Sequence, residues 1–527
     1  MDIFYKKGGY DLRIYGSLLD TETEIESTQF FRPRIDFSKT FKKLDDWKLG
    51  VYAERERNEI LDTQNDTLKA IGFSWDLYKL YLQSPDNNRF RWQMNYTRQI
   101  NFAPKNLDFL RSTVADEVNI NGHWNQKRAS QLKWNLSYRK LAIEAEELTM
   151  QQAQETYLGR LDYNLNLWRG ALRFNTNYEI GSGQEAKVEF QFIEVNRGEG
   201  TFTWDPTEQF DLNGDSIPQI NEFVVAPFRD QGNYVRINTF TNEFIRTNNV
   251  GLNQSLRITP RAIWNNKKGW KKVLSKFSTL STLRINRKVK LGNAVSAWNP
   301  FDLTIADTSL VTIASAIRNV LFFNRNHATY DFQIGQSDNR NRNVLTTGFE
   351  SRQTKELFFR SRWNITPAFS SQLNITSGNK NSDSELFDNR DFNIDFQTWS
   401  PQFTYLPNKQ YEATFTYEYQ LAENTLSDFL ATAKFHNLKL AMQYNRTEKL
   451  AFKADFSFVN INVNGEINPT LELTLLEGLK KGKNFLWGLT LNRQLANNIQ
   501  MSLRYEGRKT GDRQTVHLGS ASVRATF

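Results

Sequence analysis

Phe485, Trp487, Leu489 and Leu491 share one parity of the chain, and so do Ile499, Met501, Leu503 and Tyr505 in the segment that follows. The positions between them hold Thr490 and Asn492, then Gln500, Ser502 and Arg504. Successive side chains of a β-strand point to opposite faces, so this alternation specifies strands with one apolar and one polar face. The last segment repeats the pattern with small residues. Gly519, Ala521, Val523 and Ala525 alternate with Leu518, Ser520, Ser522 and Arg524, and the chain ends on Phe527.

The same pattern recurs along the whole chain. Phe90, Trp92, Met94 and Tyr96 alternate with Arg91, Gln93, Asn95 and Thr97; Leu132, Trp134, Leu136 and Tyr138 repeat it, as do Leu438, Leu440, Met442 and Tyr444. Such segments add up to about 22 strands, within a range of about 20 to 26. Alternation alone fits either a soluble sandwich with the apolar face inward or a membrane barrel with that face in lipid. Mean hydropathy is -0.62, and no apolar run approaches the roughly 18 residues of a membrane helix. A membrane barrel remains compatible, because lumen residues dilute its hydrophobicity, and 13% aromatic residues suit interfacial girdles.

The connections separate the two folds. Counting back from the C-terminus puts the short turns at 495–497, 446–448, 407–409, 366–367, 168–170 and 85–87 on one side. The long connections at 462–483, 378–389, 288–325, 182–247, 141–155 and 100–115 fall on the other. Short periplasmic turns and long outer loops characterise outer-membrane barrels, and a sandwich has no cause to segregate them. The expected fold is therefore an all-β, transmembrane, antiparallel up-and-down barrel with long outer loops, located in the cell outer membrane. Its expected parts are barrel strands in 1–181, an outer insertion at 182–247 and barrel strands in 248–527 interrupted by the 288–325 loop. The aromatic C-terminal residue resembles the insertion signal of such barrels.

A net charge of +9 raises nucleic acid as a partner, but the cations are spread along strands, so none is expected. The absence of cysteine excludes disulfide and thiolate chemistry. His123, His327, His436 and His517 lie in separate segments without a neighbouring nucleophile and acid, so no enzymatic activity is expected. The segment Met1 to Lys7 lacks the apolar core of a signal peptide, as expected of a mature chain or a fragment. Arg91, Lys133, Arg139, Arg173, Arg360 and Arg362, with Glu412, Glu418, Lys453, Asp455 and Arg504, occupy the polar face, where they either solubilise a wet lumen or line an anion path.

One stretch carries recognisable ligand chemistry. Asp211, Asn213 and Asp215 stand at positions 1, 3 and 5 of a twelve-residue Ca²⁺ loop closed by Glu222, with Ile217 offering a carbonyl and Gln219 an oxygen or a water contact. Ser216 stands where such loops have glycine. A structural Ca²⁺ site and an empty acidic turn both fit.

The segments Gly198 to Asp205, Asp211 to Phe223, Ala226-Pro227-Phe228, Gly232 to Arg236, Leu321 to Arg325 and Leu476 to Leu479 with Gly482-Lys483-Asn484 resemble motifs of very large outer-membrane barrels, among them the giant translocon barrel of the type 9 secretion system. The resemblance covers roughly residues 150 to 527 and the C-terminal barrel portion of that family. It implies a pore or scaffold within a secretion, assembly or surface-export complex, with periplasmic or surface proteins and outer-membrane lipid as partners. The alternative is a nutrient uptake porin or transporter. A lumen this wide needs a plug, supplied by the 182–247 and 288–325 loops folding inward, by a missing domain or by a separate protein. Leu310 to Leu321 reads as a short apolar helix for that cap, or as part of an extended hairpin.

Overall fold

Residues 2–525 are described by the computed structural model, apart from 127–128, 205–214, 221, 292–297, 304–309, 346–347, 386–390, 427–429, 447–448, 466, 468 and 497. Phe527 therefore lies outside the described residues. The first half of the sheet comprises β1 (Asp2–Lys7), β2 (Tyr10–Glu22), β3 (Glu26–Phe41), β4 (Trp47–Asp62), β5 (Thr67–Leu68), β6 (Phe73–Gln83), β7 (Phe90–Lys105), β8 (Asp108–Gln126), β9 (Ser130–Ile143), β10 (Gln154–Leu167), β11 (Leu172–Glu194), β12 (Phe202–Thr203) and β13 (Val224–Val225). The second half comprises β14 (Tyr234–Ile258), β15 (Phe277–Lys290), β16 (Leu310–Phe323), β17 (Tyr330–Leu345), β18 (Gly348–Thr366), β19 (Phe369–Ser384), β20 (Phe392–Tyr405), β21 (Tyr411–Asn424), β22 (Ala431–Arg446), β23 (Leu450–Gly465), β24 (Gly482–Ala496), β25 (Ile499–Thr510) and β26 (Val516–Ala525). Short helices are α1 (Arg261–Trp264), α2 (Trp270–Leu274) and α3 (Pro469–Leu475).

Each long strand pairs antiparallel with its neighbours in sequence, from β1–β2 through β11–β14 to β25–β26, which is the up-and-down barrel expected from the alternation. The sheet has 26 strands, and three of them, β5, β12 and β13, are two-residue pieces outside the main wall.

Register shows which face meets lipid. Tyr96 pairs with Val118, Val118 with Tyr138, and the rows below contain Met94 with Ile120 and Ile120 with Leu136. These side chains point away from the asparagine-rich face, and Leu136 and Tyr138 are 49% and 44% exposed. Four such rows lie on β7 between Phe90 and Tyr96, and the next outward residue is Arg98, paired with Asp116 on β8. Asp116 pairs in turn with Lys140, and Lys140 with Glu155. At about 3.3 Å per residue and a tilt near 40°, eight residues rise about 20 Å, close to the roughly 25 Å apolar band of an outer-membrane barrel. An exposed apolar belt of this extent, bounded by charge, is a membrane surface. Every polar-face charge named from the sequence sits opposite that belt, so the lumen is lined as expected.

Several expected boundaries differ. β11 and β14 run to Glu194 and from Tyr234, which shrinks the 182–247 insertion to 195–233. The expected loop at 100–115 is a tight turn at Asn106 and Leu107, with Asn106 at φ 54°. Connection 288–325 contains a wall strand, β16, so Leu310 to Leu321 is not a cap helix but the extended alternative, paired with β15 in the wall. Its β-branched residues Val311, Thr312, Ile313, Ile317 and Val320 favour the strand. Its outward Leu310 and Ile313 are buried because Trp298 and Leu303 pack over them from the connection above. The segment 298–303 lies on the outside of the wall, not in the lumen: Trp298 stacks on outward-facing Tyr157 at 4.2 Å, and Tyr178 donates to its carbonyl at 2.7 Å. One connection at the short-turn end, residues 259–276, is long and carries α1 and α2.

Candidate functional site: the capped outer mouth

β11 and β14 rise beyond the other strands as a hairpin whose register holds from Leu172–Ile258 up to Glu194–Tyr234, with one irregularity between Ala186 and Val188. Their upper part leans over the sheet. Val188 pairs with Leu345 at the top of β17, and Arg236 reaches Glu350 on β18 at 3.8 Å.

The described residues of 195–233, which are 195–204, 215–220 and 222–233, fold on top of this hairpin into an arm. Gly198 and Gly200 both donate to the Gly232 carbonyl (2.7 and 3.1 Å), Thr201 donates to Tyr234, and Asn233 donates to Phe202. A β-carbon on Gly232 would stand 2.1 Å from the Gly200 oxygen, and one on Gly200 would stand 2.5 Å from the Tyr234 nitrogen. Only glycine permits this backbone-to-backbone approach. Phe223 fills the space beneath, stacked on Phe192 at 4.0 Å and edge-on to Tyr234 at 4.8 Å. The glycine and aromatic motifs that suggested a family are thus the core of the arm. Gly232→Ala is expected to loosen it at about 2 to 3 kcal/mol or more, read as new protease cleavage within 195–233 while the wall stays intact.

The tip of the arm crosses to the opposite wall. Arg508, on the lumen face near the top of β25, donates through both terminal nitrogens to the two carboxylate oxygens of Asp230 at 2.6 Å each. Its guanidinium also lies 4.1 Å from the Phe228 ring. Arg508 and Asp230 are only 9% and 23% exposed, so this bidentate pair is largely out of water. Beside it Pro227 packs against Gly478, which has φ 79° and no room for a β-carbon.

Gly478 belongs to the connection that folds α3 into the lumen. Leu471, Leu475 and Leu476 bury themselves among Ile394, Phe396, Phe435, Val459, Ile461 and Val463 on the lumen faces of β20, β22 and β23. Glu477 accepts from Gln420 and faces Lys380 at 3.9 Å. Arm, α3 and upper wall are therefore joined by contacts at one end of the lumen. Sequence reasoning missed Asp230 and Arg508 and held Phe228 and Gly478 only as parts of two separate motifs, because the partners are hundreds of residues apart. Besides those motifs, the signal was Arg508 on the polar face of the penultimate strand.

The arm contains the expected Ca²⁺ loop. Asp211 and Asn213 lie outside the described residues. Ser216 adopts φ 58°, so the serine makes the left-handed turn that glycine makes in such loops. Asp215 accepts from the Ile217 amide at 2.7 Å and from the Gln219 side chain at 3.1 Å. Glu222 is 2% exposed and accepts from Trp204 Nε1 and the Gln219 amide. Asp215 and Glu222 thus already brace the turn, and Gln219 meets Asp215 as a donor. The four histidines stay apart: His123 on β8, His327 after β16, His436 beside Tyr417 on β22 and His517 beside Tyr505 on β26.

No family model matches the chain, and no curated protein matches it. Among solved structures it is similar to the FrpB iron transporter of Neisseria meningitidis, at 10% identity and TM-score 0.35 over 98% of this chain and 82% of that one. A siderophore receptor of Acinetobacter baumannii, PiuA, gives 12% identity and TM-score 0.34 over 99% and 82%. The copper transporter OprC gives 9% identity and TM-score 0.34 over 99% and 80%.

Proposed function

We propose that this protein is an outer-membrane transport barrel that admits a polar solute through an outer mouth closed by its own arm. The observation that carries the reading is the Asp230–Arg508 latch, which joins an arm rooted on β11 and β14 to β25 across the opening. A closure built into the chain on the outer side suits uptake of a solute that arrives from outside. The lumen supports it with amide ladders such as Gln93 to Asn95, Asn121 to Asn119 and Asn119 to Asn135, which can exchange hydrogen bonds with a hydrated solute. Reconstituted in planar bilayers, the native chain is expected to conduct little, and a variant lacking residues 196–232 is expected to conduct as an open pore and pass uncharged sugars in liposome swelling. A deletion variant that folds with the heat-modifiable mobility of a barrel yet stays closed would sink the reading.

The secretion or export scaffold is the second reading, and the family resemblance supports it together with the basic lower rim described below. Within either reading, Ca²⁺ held by Asp211, Asn213, Asp215, the Ile217 carbonyl, Gln219 and Glu222 stiffens the arm by neutralising its carboxylates. With serine in the glycine position, the expected Kd is roughly 10⁻⁴ to 10⁻³ M. Chelation is expected to raise protease sensitivity near 205–230, as is Asp211→Ala with Asp215→Ala. Identical cleavage in chelator and in millimolar calcium would leave an ordinary acidic turn.

A further inference from the structure

Sectors of the lower end gather basic residues, although Asp45, Asp46 and Asp86 stand in its turns before β4 and β7, a gathering that the even scatter of cations along the sequence concealed. The lower connection 259–276 carries Arg261, Lys267, Lys268, Lys271, Lys272 and Lys276 with no carboxylate, whereas the upper connection 144–153 carries Glu144, Glu146 and Glu147 with no cation. Turns at one end gather what the chain distributes.

Three cavities open at the lower, C-terminal end of the lumen, and none is lined by a carboxylate. One, of about 1340 Å³ under β8 to β11, is lined by Arg89 and Arg173 among five asparagines and two glutamines. A second, of about 700 Å³ under β22 to β26, is lined by Lys409, Arg446, Lys449 and Arg524. The third, of about 450 Å³, lies between α1, α2 and the turn after β16 and is lined by Arg257, Arg261, Lys272, Lys276 and Arg325. None of these cations has an ion-pair partner among the described residues.

Unneutralised cations held around a rim repel one another and lower the stability of the barrel unless a partner offsets them. The strand residues that line these cavities, such as Arg173, Arg257 and Arg524, lie on the lumen face, away from the lipid belt. Small anions would occupy a single pocket, but here the basic, amide-rich lining extends over three sectors of one mouth. Amides can pair with a peptide backbone while guanidinium and ammonium groups pair with carboxylates. We infer that the lower mouth is the docking surface for an acidic segment of a periplasmic protein, seated across the rim. This rests on the outer-membrane barrel reading for its orientation.

The test uses the full chain in detergent with fluorescently labelled short poly-L-glutamate, read by anisotropy. Binding is expected, weakening steeply with salt, and falling by about tenfold or more in Arg261→Glu with Lys272→Glu and Arg325→Glu. Reversal of charge at solvated turn positions leaves the wall intact, which heat-modifiable mobility checks. Absence of binding, or equal binding by the variant, overturns the inference. Displacement by equimolar inorganic phosphate, or by short-chain phosphatidylglycerol at the same concentration, also overturns it, assigning the rim to small anions or to lipid. Anisotropy needs no current, so a chain that never conducts would defeat the transport reading and leave this result standing.

Discussion

Replacing Asp230 with alanine is expected to open the outer mouth and raise single-channel conductance severalfold, because it strands the Arg508 guanidinium at a site from which water is largely excluded. Removing one partner of a buried, hydrogen-bonded ion pair costs about 3 to 5 kcal/mol, far more than an exposed pair. The wall does not depend on this contact, since every strand keeps its ladder, so the cost falls on the closed position of the arm. The chain contains no cysteine, which permits a reversible form of the experiment. With Asp230→Cys and Arg508→Cys joined by a short bis-methanethiosulfonate crosslinker that spans the length of the lost arginine, the crosslinked protein is expected to stay closed and the protein released by reductant to conduct. Equal conductance of wild type, Asp230→Ala and the crosslinked and released forms would show that the arm does not control the passage.

The second large effect concerns the lipid face. Leu440 points outward on β22, paired with Phe415 and Phe456, while Ala441 points into the lumen on the same strand. Leu440→Arg is expected to destabilise the barrel by about 2 to 4 kcal/mol, the cost of an arginine near the bilayer midplane. Ala441→Arg places the same side chain in a wet lumen and is expected to assemble almost normally. Outer-membrane yield and heat-modifiable mobility distinguish the pair, and equal assembly of the two would contradict the assigned faces.

Most of the wall was legible because side-chain parity is strict wherever one face meets lipid. Arg91, Lys133, Glu418 and Arg504 could be placed in the lumen from the sequence for this reason. The pattern falls silent above the belt. On β11 the stretch Gly181-Ser182-Gly183-Gln184-Glu185 is polar at both parities, yet the ladder with β14 continues through it. Strand ends there were consequently read as loop. β16 failed in the opposite way, since Leu310 is buried on one parity and Val311 and Ile313 on the other, so apolar residues stand at both parities and mimic a helix. The latch was invisible because Asp230 and Arg508 stand 278 residues apart. The basic rim was hidden because folding, not sequence, assembles it.

The arm is fixed at its roots on β11 and β14 and pinned at its tip on β25, eleven strands further along the wall. Geometrically it is a chord of the rim. A chord set at fixed length resists any change in the shape of the ring it spans, so a barrel squeezed into an ellipse must either stretch the Asp230–Arg508 contact or buckle the arm. Lateral pressure from the bilayer, or from a protein pressed against the outer wall, would thereby load the tip contacts of the arm, Asp230–Arg508 together with Pro227–Gly478.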